Sequence, residues 1–182
     1  ILMLSGGFSS GDEPDGSGKF IANVLNNAKI KASIEHLLEK KHLIVGICNG
    51  FQALVKSGLL PYAKIGAVTP EDPTLYRNDI NRHLSHITKT VVASTNSPWL
   101  TSFKTGEIHQ VAISHGEGKF VVSDQIAQQL FQNGQVAFQY CDFEGIPTMQ
   151  EPHNPNGSLY AIEGIVSPCG FILGKMGHSD RK

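Results

Sequence analysis

The sequence has little cysteine, no excess of charge of either sign and no long apolar run. Its three cysteines among 182 residues disfavour a disulfide scaffold and fit the reducing environment of the cytoplasm. Lys and Arg number 15 and Asp and Glu number 16, and the resulting net charge of −1 argues against a nucleic-acid partner or an anionic membrane surface. The longest apolar stretches are only a few residues, so the sequence predicts no membrane-spanning segment.

The chain begins with an apolar segment, Ile1-Leu2-Met3-Leu4, that is typical of a buried strand. A chain that starts inside its own core is expected to continue upstream. We therefore expect residues 1–182 to form one domain that is truncated at its N-terminus, as a fragment of a longer polypeptide whose first strand or strands are missing.

The order of the segments predicts an α/β domain. Residues 1–58 are typical of strand, loop, helix, strand, tight turn and helix, an arrangement whose strands are expected to be parallel. Alternating β-branched segments at 83–95 and 107–113 predict antiparallel strands added to this core. A helix is predicted from Ser123 to Gln132 with Ser123 as its cap. Further strands are predicted at 136–140, 159–165 and 171–176, so the expected sheet is mostly parallel with added antiparallel strands.

The pattern Gly46-x-Cys48-x-Gly50 lies between a predicted strand and a predicted helix. It is the pattern of a nucleophile elbow with cysteine in place of serine. Two glycines let strand and helix pack closely around a sharp turn, which presents the thiol at the sheet edge where α/β proteins bind ligands. The helix N-terminus favours negative charge there, and the amide of Asn49 is expected to face a developing oxyanion. The alternative is a buried structural cysteine between turn glycines.

A cysteine nucleophile needs a base, and the base needs a group that orients it. His178 follows a predicted strand and has Asp180 two residues further on. In an extended segment these side chains lie on one face, so Asp180 could hold the imidazole in one tautomer. The alternative is a polar C-terminal tail.

Three other polar segments have competing interpretations. Ser5-Gly6-Gly7-Phe8 follows a predicted strand and could supply a second oxyanion donor, or be a phosphate loop or a plain flexible loop, although the Lys of a Walker A motif is absent. The segment 114–118 could be an ordinary hairpin turn. His83 and His86 are expected to be a solvated pair rather than metal ligands, and Cys141 and Cys169 lack metal-ligand spacing. No metal site is predicted.

Five segments of the sequence form one recognisable set. They are, in chain order, Gly6-Gly7-Phe8-Ser9-x-Gly11-Asp12, Gly46-Ile47-Cys48-Asn49-Gly50-Phe51-Gln52, Ser114-His115-Gly116-Glu117-Gly118, Asn154-Pro155-Asn156-Gly157-Ser158 and Met176-Gly177-His178-Ser179-Asp180-Arg181. Together they resemble the class I glutamine amidotransferase domain of phosphoribosylformylglycinamidine synthases. The resemblance covers essentially the whole chain, and residues 11–18 resemble the form that is fused to a synthetase.

This resemblance implies a flavodoxin-like core and hydrolysis of glutamine through a cysteinyl thioester. The ammonia would pass to a synthetase domain, in the same or a partner chain, that holds ATP and Mg²⁺ and converts formylglycinamide ribonucleotide to the amidine; this domain itself would need no cofactor. The resemblance implies the nucleophile, base and orienting carboxylate in Cys48, His178 and Asp180. It also implies oxyanion donors in Gly7 and Asn49, and glutamine-binding residues in Gln52, Ser114 and Gly116.

The sequence departs from the family pattern at the last segment. Asp180 stands where the family usually has Glu, and Ser179 stands where it usually has Pro. Asp180 keeps the carboxylate but is one methylene shorter than Glu, so the sequence leaves its contact with His178 undecided. Two alternatives to an active glutaminase remain at this point. One is a non-catalytic remnant with a buried Cys48, and the other is a cysteine hydrolase of peptides or esters, which leaves the other four segments unexplained.

Overall fold

The computed structural model describes residues 1–8, 16–66 and 68–179. Asp180 and all of residues 9–15, between Phe8 and Gly16, lie outside the described residues. The helices are α1 (Lys19–Leu25), α2 (Ala28–Glu39), α3 (Asn49–Lys56), α4 (Leu59–Tyr62) and α5 (Asp124–Gln132). The strands are β1 (Leu2–Leu4), β2 (Ile44–Ile47), β3 (Thr74–Tyr76), β4 (Leu84–Val92), β5 (Ile108–His115), β6 (Lys119–Val121), β7 (Val136–Tyr140), β8 (Ile162–Val166) and β9 (Ile172–Lys175). None of the helices in these ranges has both the length and the apolar character that crossing a bilayer requires.

One mixed sheet forms the centre of the α/β fold, with the strand order β1-β2-β9-β8-β7-β4-β5. The predicted α/β class is confirmed, and so are the antiparallel strands predicted at 83–95 and 107–113, which are β4 and β5 and pair with each other. The expectation of a mostly parallel sheet is wrong for the described residues. There, β1/β2 and β2/β9 pair in parallel, whereas β9, β8, β7, β4 and β5 follow one another antiparallel. The connection from β8 to β9 is short, which suits an antiparallel hairpin, whereas two parallel strands need a long crossover connection.

The first strand is less buried than its sequence predicts. Met3 is 51% exposed, and Leu2 and Leu4 are only partly buried. Within the described residues β1 pairs with β2 alone, so it has a neighbouring strand on one side only. An apolar tetrapeptide predicts a strand but not the position of that strand in the sheet.

Helix α3 packs against the parallel part of the sheet and positions the turn between β2 and α3. Phe51 is fully buried and stacks on Phe120 with ring centroids 6.3 Å apart. It lies so close to β9 that a Cβ added to Gly174 would come within 2.1 Å of its ring. Close packing of this kind tolerates little change in side-chain volume. The start of α3 is therefore held firmly over the ends of β2 and β9.

Candidate active site

The turn from β2 into α3 has the predicted elbow geometry. Cys48 lies there with φ 53° and ψ −109°, in the left-handed half of conformational space that non-glycine residues rarely adopt. A Cβ on Gly46 would lie 2.6 Å from the carbonyl oxygen of Gly50, and one on Gly50 would lie 2.0 Å from that of Leu4. Both glycines are thus required by backbone approach. The strain at Cys48 is maintained by the strand and helix packed around it.

A cavity of about 160 Å³ opens beside the elbow. Pockets for drug-sized ligands begin at about 300 Å³, so this one suits a smaller molecule. The structure brings six of the eight predicted site residues to its wall; the lining consists of Gly7, Phe8, Ser17, Cys48, Gln52, Ser114, His115, Gly116 and His178. Asn49, the seventh, is buried next to Cys48 at the first position of α3. Asp180, the eighth, lies outside the described residues, so its contact with His178 stays a prediction.

Cys48 and His178 both lie against Gly6, a glycine for which no role of its own was predicted. A Cβ built on Gly6 would lie 3.2 Å from the Cβ of Cys48, and 2.6 Å and 3.3 Å from Cε1 and Nε2 of the His178 ring. The thiol-bearing carbon and the imidazole therefore approach the same point from two sides. Any side chain at position 6 would separate them or displace the ring, which explains the first glycine of the Gly6-Gly7 pair.

The segment that follows β9 forms a bridge to β5, the last strand in the sheet order, and this contact positions His178. Its backbone N–H donates to the carbonyl of Ala112 at 2.8 Å, and its side chain is buried at the cavity wall. At the other edge of the elbow, the N–H of Cys48 donates to the carbonyl of Lys175 at 2.9 Å. The predicted base is therefore fixed to β5, and the predicted nucleophile to the last residue of β9.

The turn at 114–118 is more than an ordinary hairpin, because the buried Asn78 forms hydrogen bonds with its backbone. Asn78 donates from its backbone N–H to the carbonyl of Gly116 at 3.0 Å and from Nδ2 to the carbonyl of His115 at 2.8 Å. Its Oδ1 accepts from the N–H of Gly118 at 3.0 Å. The backbone of the turn is thus fixed where it borders the cavity beside Cys48, whose Sγ lies 3.8 Å from the carbonyl oxygen of Ser114.

The segment 154–158 supports the same turn from a second side. Asn156 donates from Nδ2 to the carbonyl of Gly118 at 2.8 Å and to the hydroxyl of the fully buried Tyr140 at 3.0 Å. Ser158 donates to Asn156 at 2.8 Å and accepts from the N–H of Phe120 at 3.0 Å. Burial raises the pKa of Tyr140 well above 10, and the nearby Glu163 and Cys48 raise it further, so this phenol stays neutral. The fourth resemblance segment therefore has a bracing role.

His115 is a cavity residue to which the sequence argument gave no role. It is 4% exposed, and neither ring nitrogen has a hydrogen-bond partner among the described residues. Burial lowers its pKa from 6.5 to about 4, with further lowering from His83 and His178. The imidazole is neutral near pH 7 and can give or accept one hydrogen bond. The sequence signal that could have identified His115 is its position inside the Ser-His-Gly-Glu-Gly segment.

The three residues predicted to hold glutamine have different surroundings. Gln52 is buried and donates from Nε2 to the carbonyl of Glu117. Ser114 Oγ lies 3.1 Å from Nε2 of His83, so one member of the predicted solvated histidine pair reaches the cavity wall. Gly116 supplies backbone only. Gln52 and Gly116 thus shape the wall, whereas Ser114 also brings a hydroxyl group to it.

Glu117 connects the turn to the far end of the long glycine loop. Its Oε2 accepts from the N–H of Ser17 at 3.0 Å, and Lys56 Nζ donates to the carbonyl of Ser17 at 2.6 Å. Ser17 lines the cavity. The sequence offered no way to find this contact, because Glu117 and Ser17 are 100 residues apart.

The remaining cysteines and histidines form no second centre in the described ranges. Cys141 is buried and Cys169 is exposed, and both are free thiols, as predicted. Across residues 1–8, 16–66 and 68–179, no group of three or more His, Cys, Asp or Glu side chains is arranged to hold a metal ion.

Comparison with known proteins gives one consistent family. Residues 1–182 match the family described as "CobB/CobQ-like glutamine amidotransferase domain". The chain is 38% identical over 184 residues to the phosphoribosylformylglycinamidine synthase subunit PurQ of Methanococcus maripaludis strain C7, covering 100% of this chain and 65% of that subunit. It is 33% identical over 184 residues to the same subunit of Gloeobacter violaceus, covering 100% of this chain and 70% of that one.

A solved structure has the same fold. The chain superimposes on a chain of PurLQS from Thermotoga maritima with a TM-score of 0.71 and 27% identity, covering 100% of this chain and 70% of that one. The chain thus spans less than two thirds of the M. maripaludis subunit, at 65%, and somewhat more of the other two proteins.

Proposed function

Because the chain belongs to the CobB/CobQ-like glutamine amidotransferase family, we propose that it hydrolyses glutamine and supplies the ammonia for a phosphoribosylformylglycinamidine synthase. The relatives named as PurQ subunits of that synthase support this assignment. The observation that carries it is geometric. Cys48, on a strained elbow, shares a cavity of about 160 Å³ with His178, Gly7 and the Ser114–Gly116 turn. A remnant with an inert, enclosed cysteine would not need this arrangement.

In the first half of the reaction, the Cys48 sulfur attacks the side-chain carboxamide carbon of glutamine, and His178 takes the thiol proton. The carbonyl oxygen becomes an oxyanion, for which the amides of Gly7 and Asn49 are the proposed donors. When the C–N bond breaks, His178 returns the proton to the departing nitrogen. Ammonia leaves, and a γ-glutamyl thioester remains on Cys48.

In the second half, water attacks the thioester carbon and His178 accepts the proton of the water. The same two amides would bind the second oxyanion. Cleavage of the C–S bond returns the proton to sulfur and releases glutamate. Asp180 is the proposed orienting group for the imidazole, with the role that a carboxylate has in other nucleophile–His–acid triads.

The ammonia would be used by a synthetase with its own ATP and Mg²⁺, which converts formylglycinamide ribonucleotide to formylglycinamidine ribonucleotide. The T. maritima neighbour is a structure of PurLQS, which supports a partner chain of this kind. We propose the same division between two sites here, in the cytoplasm. Whether the synthetase is fused to this chain, as residues 11–18 predict, stays a prediction because the relatives are named as separate subunits.

The test is Cys48→Ala in the protein combined with its synthetase. Glutamine-dependent amidine formation and glutamate release should both be lost, while amidine formation from added ammonium salts should continue. Cys169→Ala is the matched control, because it removes an exposed free thiol and should leave both reactions unchanged. Glutamate release that persists in the Cys48→Ala protein would contradict the proposal. Loss of the ammonia-dependent reaction as well would contradict the separation into two sites.

A further inference from the structure

Two opposite charges are buried together beneath the segment that carries His178. Glu163, on β8, and Lys175, the last residue of β9, have side chains that are 0% and 7% exposed. Lys175 Nζ lies 3.9 Å from Glu163 Oε1 and 4.6 Å from the centroid of the Phe138 ring. Neither residue lines the cavity that holds Cys48, and the proposed reaction uses neither of them.

The two charges bind the residues on either side of His178. Glu163 Oε1 accepts a hydrogen bond from the backbone N–H of Gly177. Lys175 Nζ donates to Ser179 Oγ at 2.9 Å. The pair therefore holds the residue before the imidazole and the residue after it, each with a charge-assisted hydrogen bond of the stronger kind.

Packing leaves the same segment little room to move. The N–H of His178 itself donates to the carbonyl of Ala112 at 2.8 Å. A Cβ on Gly177 would lie 2.6 Å from Val111 Cγ2 and 2.7 Å from Glu163 Oε1. Three consecutive residues are thus fixed by three separate contacts, and two of these contacts depend on the buried pair.

Stability alone is a poor reason for a pair of this kind. Removing two charges from water costs several kcal/mol per ion, and apolar replacements of buried pairs are often neutral or stabilising. Here the pair is also incompletely bonded, because Glu163 Oε2 has no hydrogen-bond partner within the described residues. The pair is costly to bury, and its hydrogen bonds go to the two residues next to His178. A role in positioning His178 therefore explains the pair better than a role in stability.

We propose that Glu163 and Lys175 are positioning residues that hold the residues on both sides of His178, Gly177 by its backbone and Ser179 by its side chain, and so hold the imidazole toward Cys48. This inference rests on the proposed function, in which His178 transfers protons at Cys48. Catalytic groups must keep their geometry closely, and a displacement of about 1 Å can lower a rate about 100-fold. Loss of the pair should therefore slow the chemical steps while glutamine still binds.

The main test is the double variant Glu163→Leu with Lys175→Met, made in the protein combined with its synthetase. It leaves no unpaired buried charge, so the thermal midpoint should equal or exceed that of the wild type. The kcat for glutamate release should fall about 10- to 100-fold with little change in KM. A second double variant, Glu163→Gln with Lys175→Met, keeps an acceptor oxygen for Gly177 and should recover part of the loss.

Lys89→Met is the matched control. Both lysines contact an aromatic ring: Lys89 Nζ lies 4.8 Å from the centroid of Phe143, and Lys175 Nζ lies 4.6 Å from that of Phe138. Lys89 is on β4 and does not line the Cys48 cavity. Its kcat should equal that of the wild type. Wild-type kcat in the Glu163→Leu, Lys175→Met variant, or a fall matched by an equal loss of stability, would overturn the proposal.

A second measurement separates this proposal from the proposed function. Amide hydrogen exchange at Gly177 and His178 should become faster in the Glu163→Leu, Lys175→Met variant and stay unchanged in Lys89→Met. If the wild type released no glutamate, the proposed function would fail, and exchange would still decide whether the pair fixes this segment. Unchanged exchange at both amides would overturn the positioning role whatever the glutaminase activity.

Discussion

The two walls of the cavity are held by different kinds of contact. The elbow wall, formed by Cys48 and by His178 beyond the end of β9, is fixed by backbone packing in which Gly46 and Gly50 come within van der Waals contact of neighbouring main chain. The turn wall, residues 114–118, is fixed by the buried amide side chains of Asn78 and Asn156. The first wall depends on the absence of side chains and the second on their presence.

This difference decides how each wall should respond to mutation. A clash between a new Cβ and backbone cannot be relieved by rotating a side chain, so changes to the elbow wall should affect the whole domain. Removing one hydrogen bond from the turn wall leaves other bonds in place, and the damage should stay local. The elbow wall should therefore lose stability and the turn wall should lose affinity or pH tolerance.

The largest effect is expected from Gly50→Ala. The added Cβ would lie 2.0 Å from the carbonyl oxygen and 2.6 Å from the carbonyl carbon of Leu4, so β1 or α3 has to move. Overpacking of this kind costs about 1–3 kcal/mol and occasionally more, and glutamate release should be lost with the displaced Cys48. Thermal unfolding and the glutaminase assay measure the two effects. Gly66→Ala is the control, since its Cβ would meet no atom within 4 Å; equal midpoints for the two variants would contradict the packing argument.

The elbow wall could be predicted from the sequence because its requirements are local. Gly46, Cys48 and Gly50 lie within five consecutive residues, and a strand before them and a helix after them suffice to predict the turn. Most of the strand and helix segments were predicted for the same reason, from the pattern within each segment, whereas the short elements α4, β3 and β6 were not predicted. The position of β1 in the sheet was not predicted, because pairing and burial depend on strands far along the chain.

The turn wall could not be predicted, because its partners are distant in sequence. Asn78 binds residues 37 to 40 positions further on, and Asn156 binds Gly118 across 38 positions. The resemblance marked Ser114-His115-Gly116-Glu117-Gly118 as important without separating the residues that face the cavity from those that brace it. Glu163 and Lys175 were missed entirely, since a buried ion pair looks like two ordinary charges in the sequence.

An effect that appears only on acidification is expected for His115 in the turn wall. Burial and the neighbouring His83 and His178 lower its pKa from 6.5 to about 4. Between these two pH values the unfolded chain binds a proton at this position and the folded chain does not. The free energy of unfolding should therefore fall as the pH falls from 6.5 to 4, by up to about 1.4 kcal/mol per pH unit, or about 3 kcal/mol in all.

Urea unfolding at pH 7 and pH 4.5 tests this linkage. In His115→Gln, which cannot titrate, the loss of stability on acidification should be smaller than in the wild type. His42→Gln replaces an exposed imidazole and should follow the wild type. An identical loss in His115→Gln and the wild type would show that the buried imidazole does not carry the effect.

The smallest effect is expected where the turn wall meets the glycine loop. Glu117 Oε2 and Lys56 Nζ hold the N–H and the carbonyl of Ser17, which lines the cavity without being a proposed reacting group. Glu117→Ala removes one of these two contacts, and Lys56 retains the other. The change should therefore weaken glutamine binding and leave the chemical steps intact, unlike any change to the elbow wall.

The expected result for Glu117→Ala is a KM for glutamine raised about fivefold at unchanged kcat, because one half-buried hydrogen bond contributes about 1 kcal/mol. Glu117→Gln keeps an acceptor oxygen, so its KM should lie between that of the wild type and that of Glu117→Ala. The matched control is Glu107→Ala, since Glu107 Oε2 also accepts a backbone N–H at 3.0 Å, from Lys104, but does so away from the cavity. A fall in kcat at constant KM for Glu117→Ala would show that Ser17 acts on the reacting groups, and the two walls would then differ less than their contacts indicate.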